Sequence, residues 1–414
     1  MGIKFEFLDA GNGDCIWITT DEGINILIDG GFKYTYDKKL ASAEKKKIDE
    51  NKPERVDLKT KIENLDKTKK LDLVVLTHYD SDHILGLSKL IEDESKKESN
   101  TVIKELWFNA FENAKFPLED DSEETNQLSS PMKHQTSELQ QQNFEKFIED
   151  LKEHIEYSNL ISIDKIKKPV VDKEKMVLLS PYTDKNYKSD KDIKITLLSP
   201  NNDKLNKLKE KYNKKFQTTD SDKKYDWDKS INFLVNEIKK KETSKNPKRF
   251  LDTAEANGSS IAFILEYKNV QKYLFLADSH IDLIVDSLRE LGYDKDNPLL
   301  VEFVKLSHHG SRENINNEFL SLIKTKQFII LANGSEAHWH PDKETFVRIL
   351  DYYKNDNEKI SFIFNHEIND IFYKHEDVLG EDFKLFKDNE FENNDISPND
   401  FEFIYKNTLG TLNG

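Results

Sequence analysis

Leu76-Thr77-His78-Tyr79-Asp80-Ser81-Asp82-His83 follows directly on the apolar run Leu71–Leu76. His78, Asp80, Asp82 and His83 can all ligate a metal, and they stand at the end of what reads as a buried strand. A strand ending in a tight turn lets imidazoles and carboxylates converge on one point, as a divalent cation requires. Three further groups have the same form. Lys272–Leu276 runs into Asp278-Ser279-His280, and Val301–Leu306 runs into Ser307-His308-His309-Gly310-Ser311. His338-Trp339-His340-Pro341 follows Phe328–Leu331 and the Asn333-Gly334 turn. Seven of the 11 histidines fall in these four groups, and strand ends of an open α/β sheet gather in one crevice.

The 414 residues carry 36% hydrophobic and 34% charged side chains, enough for one sizeable core. A net charge of −16 repels a polyanion wherever no basic patch offsets it. Of 62 basic residues only Arg55, Arg249, Arg289, Arg312 and Arg348 are arginines, so bidentate phosphate forks are few. Cys15 stands alone, which leaves no disulfide framework and no cysteine zinc site; on a strand it reads as a small buried hydrophobe. The N-terminus reads as a strand rather than a signal peptide, and no apolar run approaches the roughly 20 residues of a membrane span. The expectation is a soluble cytoplasmic protein with no membrane contact.

Ile3–Leu8, Cys15–Thr19 and Ile24–Ile28 read as strands, with turns at Ala10–Asp14 and Asp29-Gly30-Gly31. Ile84, Leu87, Leu90 and Ile91 make one helical face, and Val102–Phe108 and Ile193–Leu198 read as strands. Later strands are expected at Ser260–Tyr267, Lys272–Leu276, Leu300–Leu306 and Phe328–Leu331, with helices at 281–291, 314–324 and 342–354. The alternation indicates a layered α/β fold. One domain is expected over 1–366, with its core at about 1–110 and 193–365. Charged insertions at about 111–192 and 201–250 offer surfaces for protein partners, and an acidic extension covers 367–414.

Taken in order, these blocks resemble a metallo-β-lactamase-fold hydrolase of the competence (DNA-uptake) protein type and its stand-alone relatives. The matching stretches are Leu8–Asp14, Leu27–Gly31, His78–His83, Asn257–Ile261, Leu276–His280, Lys305–Ser311 and His340-Pro341. The resemblance implies a four-layer αββα sandwich with a metal site along one edge of two facing sheets. It implies His78 and Asp80 at a first metal position, and Asp82 and His83 at a second. Asp278 then bridges and His309 is a later ligand. Asp80 replaces the second histidine of the superfamily's His-x-His-x-Asp-His motif. The superfamily's middle histidine would fall near Asn257-Gly258-Ser259, where none stands; His134 is the nearest candidate in sequence. One or two ions, Zn or Mn, are therefore expected, since three aspartates beside imidazoles make a hard donor set.

A metal of this kind brings the pKa of bound water toward ~7 and polarises a phosphoryl or carbonyl oxygen. Asp82 and His340 are the catalytic candidates, with His340 (or His338) protonating the leaving oxygen. Asp29 can orient a ligand histidine, and His308 and His280 can ligate or brace a ligand. Ser311, Ser259 and the N–H groups near Gly310 can hold phosphate oxygens. Asp9 and Asp14 read as shapers of the glycine turn, Asp14 facing the site; His134, His154, His366 and His375 read as solvated surface residues. The first reading is hydrolysis of a phosphodiester or phosphoester in nucleic acid or a nucleotide. The alternatives are an ester, lactone or amide hydrolase, and a metal-stabilised subunit of a multi-protein system such as phage defence.

Overall fold

The computed structural model describes residues 2–42, 56–65, 70–95, 102–103, 106–108, 166–167, 193–201, 203–205, 207–208, 225–334, 339–356, 359–372 and 400–410. Two seven-stranded sheets face each other. The first holds β1 (Ile3–Phe7), β2 (Ile16–Thr20), β3 (Asn25–Ile28), β4 (Leu73–Val75), β5 (Leu106–Trp107) and β6 (Ile166–Lys167). The second holds β7 (Ile193–Ser199), β8 (Ala262–Tyr267), β9 (Gln271–Phe275), β10 (Phe303–Lys305), β11 (Gln327–Ile330), β12 (Ile360–Phe364) and β13 (Phe401–Tyr405). β14 (Thr408–Leu409) returns to the first sheet beside β1.

Both faces of most strands are apolar, and the two-residue period of a strand assigns each face its own layer. Ile26 and Ile28, Leu73 and Val75, Phe263 and Leu265, and Ile329 and Leu331 turn inward and meet in the core between the sheets. Leu27, Val74 and Leu76 turn outward under the helices of the first sheet, α1 (Lys33–Tyr36), α2 (Leu58–Glu63) and α3 (Ser81–Ser95) among them. Ile264, Leu274, Phe328 and Ile330 do the same under α4 (Ile231–Glu242), α5 (Ile281–Glu290), α6 (Asn317–Ser321) and α7 (Lys343–Tyr353). The result is the four-layer αββα sandwich. Within each sheet β3 to β6 and β9 to β13 run parallel, so β4, β9, β10 and β11 deliver their C-terminal ends to one edge.

Several expected elements come out differently. The Leu71–Leu76 run holds a strand only at Leu73–Val75, and Lys70–Leu71 pairs with Val102–Ile103 outside the two sheets. Of the helix expected over 314–324 only Asn317–Ser321 forms, because Ile323–Lys324 pairs with Leu299–Leu300. Within the stretch taken as a charged insertion, α4 buries Ile231, Leu234, Val235 and Ile238. Lys241 on it reaches Glu344 on α7 at 2.6 Å. Residues 401–409 of the acidic extension supply β13 and β14, one edge strand to each sheet. His366 is buried rather than solvated, 3.6 Å from Asp9, because β12 carries it to the same sheet edge. His134, His154, His338 and His375 lie outside the described residues.

α3 is docked on the Asp29-Gly30-Gly31 turn with no side chain between them. Gly30 N donates to His83 O and Gly86 N to Gly31 O, both at 2.8 Å. A Cβ at Gly86 would strike the Gly30 carbonyl, and one at Gly13 would strike the Asp82 backbone. Gly86→Ala should therefore lift α3 off the turn, lower stability by about 1–3 kcal/mol and reduce bound metal. Thermal unfolding with metal analysis checks this, and unchanged metal content in a destabilised variant would dissociate docking from the site.

Candidate metal centre

The side chains at the edge close around one carboxylate oxygen. Asp278, which follows β9, turns Oδ2 toward His83 Nε2 and His309 Nε2, each at 3.5 Å, and His78 Nε2 at 3.7 Å. His308 Nε2 stands at 3.9 Å. Asp82 Oδ2 lies 3.4 Å from His309 Nε2 and 3.9 Å from His83 Nε2, and Asp80 Oδ2 lies 3.6 Å from His78 Nε2. These are not hydrogen bonds; they are spacings between ligand atoms. Bonds of about 2.1 Å in a tetrahedron hold ligand atoms about 3.4 Å apart. His78 Nε2, His83 Nε2, His309 Nε2 and Asp278 Oδ1 are buried and have no hydrogen-bond partner. Donor type, spacing and orphaned atoms fit a divalent cation, with Asp82, His83 and His309 converging in one group and His78, His83 and Asp278 in another.

Backbone and second partners aim each ring. His83 Nδ1 donates to Asp29 Oδ2 at 2.9 Å. Thr77 Oγ1 donates to the same oxygen at 2.7 Å, so it can only accept from His78 Nδ1, 3.0 Å away. His309 Nδ1 donates to Leu331 O at 3.0 Å. With Nδ1 engaged in each case, Nε2 is left to face the centre, and such partners fix the tautomer a metal needs. His308 and His309 both adopt the left-handed conformation, at φ 46 and 55, which swings both rings toward Asp278. Strain of this kind costs about 1–3 kcal/mol per residue and clusters at functional sites. Behind His309, Asp14 forms a fully buried ion pair with Lys305 of β10, joining the glycine turn of one sheet to a strand of the other.

The remaining candidates stand apart. His280 donates from Nε2 to Ala254 O at 2.9 Å and takes Lys204 Nζ on Nδ1 at 2.6 Å, so it braces the rim and has no nitrogen left for a metal. Ser259 Oγ is buried on Ala256 O, and Ser311 Oγ caps the turn at Glu313, so neither hydroxyl points at the centre as a phosphate holder. His340 is buried, 3.5 Å from Asp342, with its ring 4.9 Å from that of His308. Three residues of the site escaped the sequence reading. Asp252 approaches His308 Nδ1 at 3.5 Å, Asn314 Oδ1 stands 3.2 Å from it, and Lys305 backs His309 through Asp14. A lysine just before a histidine pair, on a strand read as buried, was the one available signal.

Burial opposes charge on Asp82, His83, Asp278 and His309, and mutual attraction overrides it. Imidazoles of His309 and His83 hold Asp278 well below the usual carboxylate range, and His83 and His309 do the same to Asp82. Asp278 and Asp82 in turn raise His83 well above its ordinary value and push His309 up to about 9. Raised imidazoles stabilise the metal-free fold below their unfolded value of ~6.5 and lose that contribution as pH climbs through about 9. Depressed carboxylates contribute above ~4 and lose it as pH falls. Metal-free protein should therefore melt highest between about pH 4 and 6.5, whereas cation affinity should rise with pH as the imidazoles give up protons. Melting curves in chelator across pH 4 to 9 test this; a melting temperature rising from ~6.5 to 9 would contradict it.

No helix among the described residues is long and apolar enough to cross a membrane. Among curated proteins, none matches this chain. Residues 8–115, from the glycine turn past the His78–His83 block, match the family model of the metallo-beta-lactamase superfamily. With helices outside two facing sheets and His/Asp groups able to hold a metal at their edge, the fold is the metallo-β-lactamase α/β sandwich, and it points to a metal-dependent hydrolase.

Proposed function

We propose that the protein hydrolyses a phosphodiester or phosphoester bond in a nucleotide or single-stranded nucleic acid, using Mn or Zn. The observation that carries this reading is that three carboxylates, Asp80, Asp82 and Asp278, stand among the clustered imidazoles, a donor set rich in hard oxygen. Asp80 in place of a second histidine supports the competence-type relationship. A divalent cation bound here supplies Lewis acidity toward a phosphoryl oxygen and acidifies water.

The chain's own groups do the rest. His78, His83 and His309 are almost wholly buried, whereas the side chains of Asp80, Asp82 and His308 are 17–22% exposed, so substrate approaches across them. Lys204 and Lys248 both lie by Asp282 at this rim, at 3.9 and 3.6 Å, and give phosphate a local positive charge. His340 delivers a proton to the leaving oxygen. Asp342 orients it and stays ionised, because His340 and Arg312 outweigh the effect of burial. The overall charge of −16 disfavours a long duplex and suits a small or single-stranded substrate.

The test is turnover of bis-p-nitrophenyl phosphate and p-nitrophenyl acetate with added Mn or Zn and with chelator. Phosphodiester cleavage should appear with metal and vanish in chelator. Asp82→Ala and Asp278→Ala should lose both metal and activity. His340→Ala should keep its metal and lose about 10²–10⁴ in rate. Acetate turnover alone would move the protein to the ester hydrolases, and no bound metal with no turnover under any ion would end the hydrolase reading.

A further inference from the structure

His340 rides on the loop that leads into α7, and two sets of contacts hold that loop. One runs to the turn that carries His308 and His309. Asp342 N donates to Gly310 O at 3.2 Å, and Asp342 Oδ2 accepts from Arg312 N at 2.9 Å. The other runs to residues 225–229, just ahead of α4. Trp227 Nε1 donates to Pro341 O at 2.9 Å, and Asp226 accepts from Lys343 N and Glu344 N, each at 3.0 Å. Lys343 Nζ donates to Lys229 O at 2.8 Å, and the Tyr225 ring stands edge-on to that of Trp339 at 5.0 Å. We propose that residues 225–229 form a strap that positions His340 for proton delivery, with Asp226 and Trp227 as its positioning residues. This rests on the role given to His340 above.

The start of α7 shows what the strap does. A helix begins with N–H groups that no turn of its own can satisfy, and an Asp at the N-cap ordinarily takes them. Asp342 holds the N-cap position but makes no side-chain cap bond, because its carboxylate is turned to Arg312 N and toward His340 Nδ1. Asp226 takes the N–H groups of Lys343 and Glu344 in its place. Arg312 ties the two carboxylates together, with NH1 3.2 Å from Asp226 Oδ2. Asp226 thus releases Asp342 to orient His340. Trp227 is fixed in turn by ring contacts with Phe372 and Phe346, at 4.9 and 5.9 Å. Trp339 keeps a left-handed backbone at φ 56, which a bulky residue does only where its surroundings over-determine it. Strap contacts on Trp339, Pro341 and Lys343 bracket His340 in sequence.

Hydrolysis of diphenyl phosphate and bis-p-nitrophenyl phosphate by the full chain with added Mn or Zn tests this. The two esters share a frame and differ in the leaving oxygen. Phenol, with a pKa of ~10 like that of tyrosine, needs a proton as it leaves, and p-nitrophenolate needs one far less. His340→Ala should therefore slow the diphenyl ester more than the nitrophenyl ester. Asp226→Ala should share that selectivity, losing about 10²-fold in kcat on the diphenyl ester with KM and bound metal unchanged. Trp227→Phe keeps the ring packing and removes only the bond to Pro341 O. It should lose less in the same sense, and it decides the matter if Asp226→Ala does not fold. Strap variants that slow both esters alike, or neither, beside a selective His340→Ala overturn the proposal. A His340→Ala variant that slows both esters alike, or a wild type that cleaves neither, overturns the role of His340 itself and the strap's with it.

Discussion

The Asp278 carboxylate is the group on which the centre depends. A buried carboxylate costs several kcal/mol, and that cost is met only by opposite charge close at hand. Here four imidazole nitrogens stand within 3.5–3.9 Å of one of its oxygens. Each of the rings His78, His83 and His309 is held from behind by an oxygen on its Nδ1. Each Nε2 is thereby left facing the carboxylate, where a cation would be held. Asp29 matters almost as much, since it aims His83 directly and His78 through Thr77.

The sandwich exists in a form that delivers these groups. Parallel order from β9 to β11 puts Asp278, His308, His309 and His340 on successive strand ends of one sheet. β4 brings the His78–His83 block from the other. Nothing in either sheet alone completes the centre. The Asp14–Lys305 pair spans the gap beneath His309, and loss of one partner from such a buried pair costs about 3–5 kcal/mol.

Most of this was legible in the chain because strands announce themselves by their apolar runs, and the His and Asp groups fall at strand ends. The four layers, α3, and the six ligand candidates all lie in local signals of that kind. What escaped was set by contacts between distant segments. Asp252 precedes an ordinary helical turn, and only packing brings it to His308 and Asn314. His366 sits between Asn365 and Glu367 and reads as polar surface, yet β12 carries it inward. Ile315 to Ile323 has helical spacing, but Leu322 and Lys324 carbonyls are taken by Leu299 and Val301. α4 looked like charged insertion because the Lys239-Lys240-Lys241 run at its end masks the spacing of its four buried apolar residues.

The placement of β13 and β14 bears on how the protein is made. Chains emerge N-terminal end first, and early segments can fold while later ones are still being synthesised. The His78–His83 block leaves the ribosome early, but its sheet still lacks the edge strand beside β1, and its partner sheet lacks the one beside β12. Both are supplied by residues 401–409, among the last to emerge of those described. A nascent chain thus carries its earliest ligands long before the sandwich that holds them is closed. Closure of the two sheets behind the candidate metal centre therefore waits for residues 401–409 to emerge.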